Sequence, residues 1–144
     1  MPPAKIIVLP STIFLAYCLV SQVGAQSAIS SEMVRLSNLS VAAMQCSLVA
    51  PSESENARLL DIGIESGRKF YELIRQSPEE FKEIWVKIPG PYLRKEGPSV
   101  DVLVGRVYGI VGEEMFRLEA KSPDTKPAFM LKEYISRSCK ILRL

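Results

Sequence analysis

The chain has 144 residues, 47% hydrophobic, 24% charged and 8% aromatic, with a formal net charge of +2. That balance excludes a disordered chain, a collagen-like repeat and a multi-domain enzyme, and fits one small globular domain. With 18 basic against 16 acidic residues and no dense basic run, neither nucleic acid nor an anionic membrane surface finds an electrostatic footprint, and the absence of histidine removes the commonest general base, metal ligand and pH switch together.

Lys5 precedes an apolar run over residues 6–20, and Ser21 and Gln22 then lead into Val23-Gly24-Ala25. A charged start, an apolar middle and a small-residue end predict a secretory leader over 1–25, cleaved after Ala25. The apolar run is about 15 residues and carries Pro10, short of the ~20 that a membrane span needs, so no stable span is expected after cleavage. Leu15-Ala16-Tyr17-Cys18 resembles a bacterial lipobox except that Tyr17 stands where a small residue is required. The expected mature chain, 26–144, is a single helical domain.

Residues 31–50 place Leu36, Leu39, Ala43, Cys46 and Ala50 at the three-four spacing of one helical face, and Pro51 stops the helix. Ser52 and Glu55 form an S-x-x-E capping box that opens a long helix over 53–76. Its stripe of Ala57, Leu60, Ile64, Gly67, Tyr71 and Ile74, widened by Leu59, Ile62, Phe70 and Leu73, predicts a central helix covered on two sides. Glu65 with Lys69 and Arg68 with Glu72 stand four apart as surface pairs. Ser77 and Glu80 repeat the box around Pro78 and open a short helix that turns Phe81, Ile84, Trp85 and Ile88 inward. Residues 92–98 read as a loop between two glycine-proline clusters.

Residues 99–121 admit two readings. As a helix capped by Ser99 they line up Val100, Leu103, Val104, Val107, Ile110, Val111 and Leu118, with Gly105, Gly109 and Gly112 on another face. As strands they alternate at Val100, Val102 and Val104. Three glycines inside a helix cost about 1 kcal/mol each, so the preferred helix needs compensation from tight packing. Gly63-x-x-x-Gly67 on the central helix matches Gly105-x-x-x-Gly109, and the two pairs are expected to face each other at a close crossing. A last helix over 127–139 buries Leu131, Tyr134, Ile135 and Cys139.

The predicted fold is all-α: a compact bundle of four main helices plus one short one. Cleavage removes Cys18 and leaves Cys46 and Cys139, an even pair that reads as one disulfide in an exported chain, with two free thiols the alternative. The bond would close most of the mature chain, worth about 4 to 5 kcal/mol in the loop-entropy model.

Ala57 to Phe70, with its Arg-Leu-Leu and Gly-x-x-x-Gly-Arg-Lys-Phe, and the later Gly97-Pro98-Ser99-Val100-Asp101 with Val104-Gly105-Arg106, resemble short exported bacterial proteins of uncharacterised function. The resemblance implies bacterial export and carries no activity.

Chemical motifs are sparse. Ser66-Gly67-Arg68-Lys69 matches S-x-x-K, in which a lysine activates a serine nucleophile, but neither S-D-N nor K-T-G accompanies it. Glu79-Glu80 and Glu113-Glu114 are adjacent on their helices and cannot share a proton, and the first pair suits a helix N-terminus. Asn38-Leu39-Ser40 is a glycosylation sequon, meaningful only in a eukaryotic host. Asp101 either stabilises the start of its helix or forms a buried pair with an arginine such as Arg68, while Arg106 pairs with Glu113 or stays exposed. No cofactor or metal is called for. The functional expectation is a non-catalytic periplasmic or envelope protein that binds a protein partner. The alternatives are a helical carrier of a small apolar ligand and a hydrolase using Ser66 and Lys69.

Overall fold

The starts of two helices are set by serines whose side chains replace missing intrahelical partners. A computed structural model describes residues 12–93 and 97–143, with side chains from residue 28 onward. Of the expected leader, Lys5 lies outside the described residues, and from Thr12 onward, Cys18 included, only a helical backbone is described. Five α-helices follow in chain order: α1 Thr12–Leu48, α2 Glu53–Gln76, α3 Pro78–Ile84, α4 Val100–Lys121 and α5 Lys126–Ser136. Short 3₁₀ turns cover Trp85–Lys87, Gly90–Leu93 and Cys139–Ile141. Among the described residues there is no strand, so the helical reading of 99–121 holds. No described helix is long and apolar enough to cross a membrane.

Ser52 accepts from the Glu55 amide at 3.2 Å and Ser99 accepts from the Val102 amide at 3.3 Å, the two caps that open α2 and α4. Ser77 makes no such cap. Glu80 instead turns into the protein and accepts from the Ser30 hydroxyl at 2.8 Å, so this residue ties α3 to α1. At the end of α1 the Asn56 amide donates to the Ser47 carbonyl at 2.7 Å, satisfying one of the orphan acceptors of a helix C-terminus.

α1 and α2 pack against each other more extensively than any other pair, and α2 also meets α3 and α4, which makes it the covered central helix that its wide apolar arc predicts. Its buried side is centred on Leu59, Ile62, Gly63, Ser66, Gly67, Phe70 and Tyr71, whereas Ala57 is exposed. The main core gathers Met33, Leu36, Met44, Phe70, Tyr92 and Val107. Phe70 and Tyr92 meet edge to face with ring centroids 4.7 Å apart. A second cluster holds Cys46, Val49, Leu59, Met115, Phe129 and Cys139, and it anchors α5.

Five further side chains depart from their expected placement. Trp85 is exposed, because the helix tightens into a 3₁₀ turn there and changes phase, while Ile84 and Ile88 stay buried. Leu131 and Ile135 point away from the body, since α5 buries Phe129 and half-buries Met130 and Tyr134 on its other side. Leu118, on the last turns of α4, is exposed too. Tyr92, expected in a loop, is fully buried within the 3₁₀ turn Gly90–Leu93.

Candidate functional site

The sequence-marked residues fall into two groups, those the fold buries for packing and those it leaves on the surface. Gly63 and Gly67 belong to the first. A Cβ on Gly63 would stand 2.8 Å from Met44 Cγ and 3.3 Å from both the Met44 amide and the Ser40 carbonyl. One on Gly67 would stand 2.5 Å from the Tyr92 hydroxyl and 3.2 Å from Ser40 Oγ and Val104. The two glycines therefore admit the backbone of α1 and the ring of Tyr92. Gly105 and Gly109 do not take part in that approach: nothing lies within 4 Å of a Cβ at either position, nor at Gly112. The expected crossing of Gly67 with Gly105 is thus corrected, because α4 turns its valine side to α2 and its glycine side outward.

Ser40 completes the α1–α2 contact. Its hydroxyl donates to the Gly63 carbonyl at 2.5 Å and receives the Tyr92 hydroxyl proton at the same distance. Burial pushes the ionisation of Tyr92 well above the usual phenol range, and that of Tyr71 up to about 12. The chain Tyr92, Ser40, Gly63 closes a buried polar network across three elements. Tyr92 is marked by no motif and Ser40 only by the sequon Asn38-Leu39-Ser40, which says nothing of this contact; the remaining signal is a serine on the apolar face of a helix, which reads equally as a neutral small residue.

Ser66 is fully buried and its Oγ has no hydrogen-bond partner, while Lys69 is exposed on α2. Glu113 and Glu114 are exposed and point apart, and Glu113 pairs with Arg117 at 3.6 Å. Among the described residues no group of three His, Cys, Asp or Glu side chains could hold a metal ion.

Arg68 and Asp101 do meet, at 2.8 Å, yet their side chains remain 44% and 70% exposed. The pair expected in the interior is therefore a surface bridge, since α2 and α4 diverge enough for water to reach both groups. Arg68 also donates to Glu65 at 2.9 Å, in place of the expected pairing with Glu72. Arg106 is exposed, and Asp101 stands in the first turn of α4.

Cys46 and Cys139 meet within disulfide-bonding distance, their Cα atoms 5.5 Å apart, and both are fully buried. A polar clamp reinforces this end. Arg58 donates to Glu55 at 2.6 Å and to the Leu142 carbonyl at 2.8 Å, and the Tyr134 hydroxyl donates to Glu55 at 2.6 Å. The Arg58 guanidinium, with the Tyr134 hydroxyl, holds the Glu55 carboxyl down to about 2. Arg137 donates to Gln45 at 2.7 Å, so α5 is tied to both α1 and α2.

The surface beside this clamp is apolar. A groove of 180 Å³ runs between α1, α4 and α5 past Val49, Met115, Phe116, Phe129 and Met130. Across Val49 and Met130 it adjoins a second groove, of 230 Å³, lined by Pro51, Leu131 and Tyr134. Phe116 is 70% exposed and Leu131 57% exposed at its borders. A separate groove of 270 Å³ lies between α2 and α4, floored by Leu60, Ile64, Val104 and Tyr108 and bordered by Arg68 and Asp101. Sequence reasoning missed both surfaces, because it placed Leu131 inside and gave Phe116 no role. No protein-family model, no curated protein and no solved structure matches this chain.

Proposed function

We propose that the chain is exported to the periplasm or bacterial envelope and acts there without catalysis, by binding a protein partner. The observation that carries this reading is the continuous apolar surface of Phe116, Met130 and Leu131 across α4 and α5. A small domain that leaves a phenylalanine and several aliphatic side chains in water gains by covering them, which is the physical mark of an interaction surface. The apolar N-terminal run and the meeting of Cys46 with Cys139 support export to an oxidising compartment. The architecture belongs to the same reading: α1, α2, α4 and α5 form a compact four-helix bundle stapled by one disulfide, with α3 as the short fifth helix.

Two observations favour partner binding over the alternatives. The adjoining grooves hold 180 and 230 Å³, below the ~300–1,000 Å³ of small-ligand pockets. The larger hollow of 460 Å³ beside Phe81, Lys82, Trp85 and Leu93 lies open to solvent and encloses no ligand-sized space. Ser66 is sealed between helices, out of reach of any substrate, so a hydrolase built on Ser66 and Lys69 would lack access to its nucleophile.

The test is a photo-crosslinking amino acid placed at position 116 or 131 in the native host, with position 75 on the exposed side of α2 as the control. A discrete cross-linked product from 116 and 131, absent from 75, is expected. Equal or no cross-linking from all three positions refutes the reading.

A further inference from the structure

We draw no further inference here: the strongest candidate, the exposed apolar patch of Trp85, Val86 and Leu93 beyond the end of α3, carries none, because Lys82, the one cation lining it, is paired with Glu79 and nothing in the described residues shows what covers it.

Discussion

At the residue scale the two glycine pairs look alike in sequence and behave oppositely in structure. Gly67→Ala would drive a methyl group against the Tyr92 hydroxyl and Ser40, inside a network that is buried on every side. It should cost about 1–3 kcal/mol by overpacking, read as a lower midpoint in chemical denaturation. Gly109→Ala adds a methyl group to open space and removes the conformational cost of a helical glycine, so it should stabilise by about 1 kcal/mol. Equal effects from the two substitutions would contradict this packing. Tyr92→Phe removes the donor that satisfies Ser40 and should cost about 1–2 kcal/mol. Because that same change removes the atom nearest the new methyl group, Gly67→Ala and Tyr92→Phe together should cost less than their sum.

At the scale of elements, α5 depends on few contacts, and the clamp on Glu55 is prominent among them. The folded protein holds this carboxyl at about 2, against an ordinary value of 4.5, by the hydrogen bonds from Arg58 and Tyr134. A group whose ionisation is lowered by folding contributes stability above its unfolded value, and that contribution fades as pH falls from about 4.5 through about 2. Glu55→Gln should therefore lower stability at neutral pH and flatten its fall over that acid range. Denaturation midpoints of the two proteins measured from pH 6 to pH 2 check it; parallel curves would remove Glu55 from the acid transition. Tyr134→Phe should act in the same direction with a smaller effect, since Arg58 still donates to the carboxylate.

For the whole molecule, the link between Cys46 and Cys139 joins α1 to the segment that follows α5 and closes a separation of 93 residues. Changing both cysteines to alanine should lower stability by roughly 2–5 kcal/mol. The loss should be felt first in α5, because what would still hold it is the small cluster around Phe129, the Glu55 clamp and the side-chain bonds from Arg137 to Gln45 and from Lys126 to Glu119. Hydrogen exchange should show the amides of α5 opening ahead of those in α1 and α2 in the variant, and together with them in the oxidised parent. Thiol labelling of the unfolded, unreduced protein supplies the count: labelling at positions 46 and 139 would show the bond absent.

The helical character of the chain and the starts of α2 and α4 were determined by local sequence, and the pairing of Cys46 with Cys139, though 93 positions apart, was legible from cysteine chemistry alone. Three-four spacing, a serine cap and an even pair of cysteines each act through neighbouring residues or through one specific chemistry. The side of each helix that would be covered was not local. On α5, Leu131, Tyr134 and Ile135 form as good an apolar stripe as Phe129, Met130 and Tyr134, and the choice fell to Phe129 because it joins Cys46, Leu59, Met115 and Cys139 in one buried cluster. On α4, glycine offers close packing only where another backbone arrives, and α1 had already occupied Gly63 and Gly67. Tyr92 became a core residue because the turn at Gly90–Leu93 delivers its ring against Phe70 and its hydroxyl to Ser40, a convergence of three distant segments that no single stretch encodes. The exposed apolar surfaces arise in the same way: hydrophobicity can be read residue by residue, but what remains uncovered is settled only once every other helix has taken its place.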